Sequence, residues 1–390
     1  MKRLLLSACA LRFLDTFLLI VPFYTVMFAE KGLSPAQIGF ALGAWSLTGL
    51  LLEIPCGVLA DRMSRRWLLA ISQMLRAVGF LVWLAFPGFW GFLIGLTLWG
   101  MKSATMSGAF EAVVYDELKL LGREAEYAKV FGRAKAARGV GLVAASLTAA
   151  VAAPLGYGPL IVASVVSGVA AAGAALLLPS APRAVTIADW SYISHLRRGA
   201  REAVSLPGIP ALILFIAGVQ SIAYATADYW QLFGRDVGLP KPAIALFIAA
   251  LASAEAVGSL LSHRIRHLGS GWLYGLTCLG GLSIVAAAAI FQPWSVALPL
   301  IYMGLYSLVD VSADARFHHA LRGETRATVA SVKGFATQCA NGVLILGFGL
   351  IAQASAYRMS FLAYGAGLTL LGVVYAASVH ASRRSSTNIA

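Results

Sequence analysis

Charged side chains inside long apolar stretches are the residues of this sequence best suited to chemistry, because burying a charge there costs free energy. Arg12 and Asp15 stand three residues apart in the first such stretch, a spacing that places both on one face of a helix. Asp15 could bind a proton or a cation, with an affinity tuned by Arg12. Alternatively, the two side chains form an ion pair that only stabilises packing, and the residues alone leave both interpretations open.

Further polar candidates lie in later apolar stretches. Lys102 stands near the middle of one stretch, and Asp228 and Gln231 stand near the end of another. We expect these three side chains to contribute to a polar cavity, although Asp228 fits a gate at the outer end equally well. Asp310 is a fourth candidate, one helical turn before Asp314. Aromatic side chains that could form the walls of such a cavity are Tyr24, Trp45, Trp99, Tyr224, Trp230, Tyr302 and Tyr306.

The elements that must position these residues are membrane-spanning helices. The 390 residues are 59% hydrophobic and only 12% charged, with a mean hydropathy of +0.79, whereas a soluble protein carries about a quarter charged residues. Apolar stretches long enough to cross a bilayer as helices are residues 4–29, 36–60, 67–87, 90–113, 134–153, 158–178, 209–233, 242–262, 271–291, 294–314, 328–353 and 359–379. The sequence therefore predicts an all-α membrane protein with 12 transmembrane helices.

The basic residues predict which side of the membrane each loop faces. With both termini in the cytoplasm, 21 of the 30 Lys and Arg residues fall in cytoplasmic tails and loops, and only four fall in external loops. Since Lys and Arg accumulate in cytoplasmic loops, we expect both termini to be cytoplasmic. The net charge of +13 is spread over these short loops, and for that reason we expect no nucleic-acid partner.

A short, strongly basic segment separates the second and third apolar stretches. It reads Gly57-Val58-Leu59-Ala60-Asp61-Arg62-Met63-Ser64-Arg65-Arg66. The pattern Gly-x-x-x-Asp-Arg-x-x-Arg-Arg resembles the loop between the second and third helices of major facilitator superfamily transporters. Residues 107–119 are similar to the fourth helix of bacterial members where it enters its cytoplasmic loop. The family usually has glycine where this chain has Ser64, so the turn must form without a left-handed residue there.

The resemblance implies two pseudo-symmetric six-helix bundles that move a solute by alternating access. It also implies a cytoplasmic gate, whose contacts bias the equilibrium because they exist in one state only. We assign to this gate Gly57, Asp61, Arg62, Arg65, Arg66, Asp116 and Glu117. The alternative is a basic loop that only sets topology. Glu53 and Glu255 occupy nearly equivalent places in the two halves, and we expect a structural or gating role for them at the contact between bundles.

One long connection divides the chain into two halves. We predict a first bundle, a cytoplasmic linker, a second bundle and a cytoplasmic tail at residues 1–178, 179–207, 208–380 and 381–390, respectively. Apolar residues recur every three or four positions in the linker, which predicts an amphipathic helix on the inner membrane surface; a disordered linker is the alternative. Gly32-Leu33 recurs as Gly238-Leu239 before the eighth stretch, which indicates a faint internal repeat.

The predicted function is secondary active transport of a small solute across the cell membrane. Proton-coupled efflux is common in the superfamily, but residues 139–154 lack its fifth-helix antiporter signature, so direction and coupling stay open. The alternative is a membrane-embedded receptor or enzyme, although no nucleophile motif, metal-ligand spacing or nucleotide-binding Gly-Lys-Ser/Thr stands out. We expect a monomer without cofactor, metal or catalytic residues, whose partners are the lipid bilayer, a small-molecule substrate and, as an open question, protons.

Overall fold

The computed structural model describes residues 1–106, 108–179, 192–206, 208–265, 269–321 and 325–387. Within these residues the regular structure is helical throughout. The α-helices are α1 (Lys2–Leu14), α2 (Tyr24–Glu30), α3 (Pro35–Arg62), α4 (Arg65–Ala85), α5 (Phe89–Met106), α6 (Ala109–Leu120), α7 (Tyr127–Ala152), α8 (Tyr157–Leu176), α9 (Tyr192–Ser205), α10 (Ile209–Ala227), α11 (Trp230–Asp236), α12 (Lys241–Leu261), α13 (Ser270–Ile290), α14 (Ala297–Ala320), α15 (Thr325–Ala354) and α16 (Tyr357–Thr387).

Ten helical segments of the described chain are long and apolar enough to cross a membrane, judged by length and composition. Three of the predicted spans are broken. The span predicted at 209–233 forms α10 and α11, with residues 228 and 229 between them. Residues 15–23 interrupt the span predicted at 4–29, which forms α1 and α2. The span predicted at 90–113 forms α5 and α6, with Gly108 before α6 at a φ of +70° that favours glycine. Twelve crossings and cytoplasmic termini stay predictions.

The helices form two compact units. The first comprises Met1–Trp190 together with Pro240–Ala249, and the second comprises Ser191–Leu239 together with Ala250–Ala390. The main division falls inside the predicted linker. In addition, the first residues of α12 belong to the first unit, which the sequence pattern does not suggest.

In the first unit, α4 packs against α5 and α8, and α3 packs against α5. The helices approach closely where residues are small: a Cβ added to Gly79 in α4 would lie 2.8 Å from the carbonyl oxygen of Gly95 in α5. Small residues at helix contacts are typical of membrane proteins, in which close packing drives helix association. This contact holds α4 beside α5, and each of the two helices carries one of the buried cations described below.

In the second unit, α13 packs against α14 and α16, and α10 packs against α15. Helix α9 lies in the predicted linker and packs against the start of α15, where a Cβ added to Gly199 would lie 2.5 Å from the carbonyl oxygen of Thr328. Ala203 is buried whereas Val204 is exposed. A helix therefore exists in the linker, and its position on a membrane surface stays a prediction. Linker residues 180–191 lie outside the described residues.

The repeated Gly-Leu pair forms the same local structure in each unit. Gly32 ends α2 with a φ of +90°, and Gly238 follows α11 with a φ of +92°. The next residue donates its N–H five positions back in both cases, from Leu33 to Phe28 and from Leu239 to Gly234. This arrangement is a glycine-dependent helix ending, in which the left-handed residue satisfies the last carbonyl groups. The repeat noted in the sequence thus corresponds to a repeated turn.

The close approach of α12 and α14 gives a test of helix packing. A Cβ added to Gly258 would lie 2.2 Å from the carbonyl oxygen of Gly304, whereas one added to Gly57 in α3 would meet nothing within 4 Å. We expect Gly258→Ala to destabilise the protein by about 1–3 kcal/mol, because overpacking forces the helices apart. Gly57→Ala serves as the control and should be neutral or slightly stabilising. Equal melting temperatures of the two variants in detergent would contradict this packing.

Candidate functional site

Three charged side chains meet in the interior of the first unit: Asp15, Arg76 and Lys102, called the Asp15 cluster below. Arg76 Nη2 lies 2.9 Å and Lys102 Nζ lies 2.7 Å from the same oxygen, Asp15 Oδ1. The side chains of Asp15, Arg76 and Lys102 are only 5%, 3% and 9% exposed. Because buried charges are costly even when paired, three of them together make this cluster the candidate functional site of the first unit.

Each member of the Asp15 cluster comes from a different helix. Asp15 directly follows α1, Arg76 lies in α4 and Lys102 lies in α5. Helix α1 ends at Leu14, and the chain then turns through residues 15–23, so the carboxylate stands at the end of a helix inside the unit. The close contact of α4 with α5 brings the two cations onto one carboxylate oxygen.

Polar neighbours extend the Asp15 cluster along α4. Gln73 stands one helical turn before Arg76, and its Oε1 accepts a hydrogen bond from Arg76 Nη2 at 2.7 Å. Gln73 Nε2 in turn donates to Met106 Sδ at 3.5 Å. Gln73 and Arg76 are both buried. The amide therefore fixes the orientation of the guanidinium beside Asp15.

The ion pair between Arg12 and Asp15, one of the two alternatives that the sequence left open, does not form in the described part of the chain. Asp15 pairs with Arg76 and Lys102 instead, and the guanidinium carbon of Arg12 lies 4.8 Å from the ring centre of Phe110. Cations from α4 and α5 reach the carboxylate directly, and their approach depends on helix packing that local spacing cannot reveal. The sequence analysis missed Arg76 as a site residue, although a charge near the middle of an apolar stretch was a usable signal.

Aromatic side chains lie beside the Asp15 cluster, and three of them are called the aromatic wall: Tyr24, Trp45 and Trp99. The ring centre of Trp99 lies 5.1 Å from that of Trp45 and 6.0 Å from that of Tyr24. The guanidinium carbon of Arg76 lies 5.8 Å from the Trp99 ring, within the range of a cation–π interaction. Trp45 and Trp99 are half-buried, so part of each indole surface is open to contact.

The second unit contains a polar network of its own. Gln220 in α10 donates from Nε2 to Asp310 Oδ1 in α14 at 2.7 Å. Thr337 in α15 donates its hydroxyl to Gln220 Oε1 at 3.3 Å, and its carbonyl oxygen accepts from Ser221 Oγ at 3.0 Å. The network thus joins three helices around Asp310, which the sequence analysis singled out. Gln220 and Thr337 were missed, because an uncharged polar residue in a span is a weak signal.

The basic segment differs from its predicted form. Helix α3 continues to Arg62 and α4 begins at Arg65, so residues 57–62 are helical and only Met63 and Ser64 connect the helices. The helix therefore ends two residues later than the span predicted at 36–60 and includes Asp61 and Arg62. Ser64 has a φ of −61° and a ψ of 123°. The turn is made by an extended residue, which removes the need for glycine.

One contact within the predicted gate is present in the first unit. Arg65 Nη1 in α4 lies 2.5 Å from Asp116 Oδ2 in α6. Glu117 is buried beside Asp116, and Arg66 is half-buried. The side chains of Asp61 and Arg62 lie outside the described residues. The ion pair ties α4 to α6, while the gating role of these residues stays a prediction.

The remaining candidates lie apart from the Asp15 cluster. Asp228 follows α10 and is half-buried, and Gln231 in α11 is 3% exposed. Both belong to the second unit, whereas Lys102 belongs to the first, so a cavity shared by the three stays a prediction. Glu53 and Glu255 are exposed, and their role between the bundles also stays a prediction. Within the described ranges, no three His, Cys, Asp or Glu side chains are grouped to hold a metal ion.

Sequence comparison identifies relatives of this chain. Residues 5–338 match the family profile described as Major Facilitator Superfamily. A segment of 115 residues is 34% identical to the inner membrane transport protein YajR of Escherichia coli (strain K12), and it covers 30% of this chain and 24% of that protein. This match therefore spans about a quarter of the length of that relative.

Structure comparison identifies transporters of the same fold. The nucleoside transporter NupG has a TM-score of 0.77 at 14% sequence identity, covering 96% of this chain and 98% of that one. The D-xylose-proton symporter has a TM-score of 0.71 at 14% identity, covering 95% of this chain and 96% of that one. At such identities the likeness shows the fold alone.

Proposed function

The chain belongs to the major facilitator superfamily, and from this premise we propose that it moves a small solute across the membrane by alternating access. The family makes the chain a multi-pass membrane protein with a transport role rather than an enzyme. The observation that carries the proposal is the Asp15 cluster. Ionisable side chains inside a membrane protein are retained chiefly where they serve a solute or ion pathway.

Proton-coupled efflux is the form of transport that we propose, with Asp310 as the residue that gains and loses the proton. Asp310 is half-buried in α14, and its Oδ1 accepts a hydrogen bond from the neutral amide of Gln220. An amide can donate to either protonation state of a carboxyl group. The carboxyl group can therefore gain and lose a proton while the hydrogen bond that positions Asp310 persists.

Reconstitution of the purified protein into liposomes tests the transport function. The liposomes receive a mixture of isotope-labelled metabolites, and mass spectrometry identifies the solutes inside them with and without a pH gradient. We expect at least one solute to accumulate above the level in protein-free liposomes, and the gradient to change that level. Accumulation of no solute would contradict transport. An accumulated level that is the same with and without the pH gradient would contradict proton coupling but not transport.

The Arg65–Asp116 ion pair gives a test of the proposed cytoplasmic gate. Asp116→Arg places two arginines together, and we expect it to slow transport about tenfold, since juxtaposed like charges cost several kcal/mol. Adding Arg65→Asp to that variant restores the attraction and should recover most of the rate. Asp61→Asn should also slow transport while membrane insertion stays intact. Initial uptake rates and membrane levels of each variant are measured together; unchanged kinetics in Asp61→Asn and Asp116→Arg would contradict the gate.

We further propose that the protein works as a monomer in the cell membrane. One chain supplies both units, and the bacterial relative YajR is named as an inner membrane protein. Membrane fractionation and the mass of the detergent-solubilised protein test these two statements. A stable dimer that loses transport on dissociation would contradict the first of them.

A further inference from the structure

We propose that the Asp15 cluster binds the negative group of the transported solute, and that this solute is an organic anion with a flat apolar body. The proposal deepens the transport function and rests on it. Three features of the first unit support it: the charge balance of the Asp15 cluster, its surplus of hydrogen-bond donors, and the aromatic wall beside it.

The Asp15 cluster holds more positive than negative charge. One carboxylate faces two cations, Arg76 and Lys102, and both contact the same carboxylate oxygen. All three side chains are buried, so water does not solvate the surplus positive charge. Arg12 is a further cation near Asp15 and therefore does not reduce that surplus. A solute anion would balance the charge in a place where the protein itself does not.

The two cations also carry more N–H donors than the described residues accept. A guanidinium has five N–H groups and a lysine ammonium has three. Their side-chain acceptors in the described part of the chain are Asp15 and Gln73. Arg76 Nε is buried, and no described residue accepts its hydrogen bond. The two oxygens of a solute carboxylate would supply acceptors in the paired geometry that a guanidinium favours.

The aromatic wall indicates what the rest of the solute resembles. Trp99 lies one helical turn before Lys102 in α5, so both side chains share a helix face. The Trp99 ring also lies against the guanidinium of Arg76. A solute whose anionic group binds Arg76 therefore has its body beside Trp99 and Trp45, whose half-buried rings offer flat apolar surface.

Binding assays without transport test this proposal separately from the transport function. The purified full-length protein in detergent is titrated with 2-naphthoate, its neutral isostere 2-naphthamide, the cation 2-naphthylmethylamine and inorganic phosphate. Melting temperature and tryptophan fluorescence report binding. We expect 2-naphthoate to bind at least tenfold more tightly than each of the other three. Equal affinity for 2-naphthamide would overturn the proposal that the solute is an anion. Equal affinity for phosphate would overturn the proposal that the solute has a flat apolar body.

Variants of the Asp15 cluster separate a binding role from a structural one. Asp15→Asn removes the carboxylate that competes with the solute, so we expect 2-naphthoate to bind about tenfold more tightly. Lys102→Gln should weaken binding about tenfold, and Lys102→Arg should restore it. Lys333→Gln is the matched control, since it removes a cation bound to Asp314 in the second unit and should leave the affinity unchanged.

A cluster that only stabilises packing gives a different pattern. Asp15→Asn would then lower the melting temperature and weaken 2-naphthoate binding, and that result would overturn the proposal. If Asp15→Asn does not fold, as judged by its size-exclusion profile, Asp15→Glu keeps the charge and provides the second measurement. We expect Asp15→Glu to bind 2-naphthoate with an affinity within threefold of the unmodified protein; a tenfold loss would also overturn the proposal.

Discussion

Replacing Arg76 by glutamine is expected to slow solute transport about 100-fold while the protein still folds. The substitution leaves Asp15 with Lys102 alone and removes the surplus positive charge of the Asp15 cluster. Truncating one partner of a buried, hydrogen-bonded charge pair costs about 2–5 kcal/mol in binding, and about 1.4 kcal/mol corresponds to tenfold. Glutamine can still reach Gln73, so the local packing of α4 should survive.

Two further variants make the Arg76 result interpretable. Arg76→Lys keeps the charge but loses the planar fork of donors, and we expect an intermediate rate. Arg123→Gln is the matched control, because Arg123 is 47% exposed and its ion pair with Glu126 lies at the surface, where such pairs contribute about 0–1 kcal/mol. Transport by Arg76→Gln at the rate of the Arg123→Gln control would refute the role of the Asp15 cluster.

Replacing Asp310 by asparagine is expected to abolish accumulation driven by a pH gradient and to spare solute exchange without a gradient. Asparagine keeps the oxygen that accepts from Gln220 Nε2, but it cannot carry a proton. The solute pathway therefore remains, while the driving force is lost. We expect at least a tenfold fall in gradient-driven accumulation in liposomes, with exchange of labelled for unlabelled solute within about twofold of the unmodified protein.

A second carboxylate in α14 provides the control for Asp310. Asp314 lies one helical turn later and forms an ion pair with Lys333. We expect Asp314→Asn to retain gradient-driven accumulation, because among the described residues this carboxylate pairs with the Lys333 cation and has no place in the Gln220 network around Asp310. If Asp310→Asn still accumulates solute against the gradient, or if Asp314→Asn alone loses that ability, the proton site is not at Asp310.

Part of the candidate site could be found from the sequence. Asp15, Lys102 and Asp310 stand out because a charged residue in an apolar stretch is visible by inspection. Their partners are less visible. The sequence analysis did not single out Arg76, and Gln220 resembles many other polar residues in helices. Which of these side chains meet depends on the rotation and spacing of helices that are distant in the chain.

For the predicted gate, too, the sequence reveals the residues but not their structure. The types and order of residues 57–66 are sufficient to recognise the family resemblance, and the family profile confirms that the chain belongs to the major facilitator superfamily. The sequence did not reveal that α3 extends to Arg62 or that two residues make the turn. The residue at which a helix ends depends on how neighbouring elements pack against it and cap it, so the sequence pattern alone does not determine it.

The sequence by itself determined that this protein is helical, apolar and built to cross a membrane, since span length and hydropathy are properties of consecutive residues. It also determined the family and the presence of buried charges. Only the tertiary structure decided that Asp15 binds Arg76 and Lys102 rather than Arg12. The reason is physical: a buried carboxylate pairs with the cations that packing brings within reach, and that packing joins α1, α4 and α5 from separate parts of the chain.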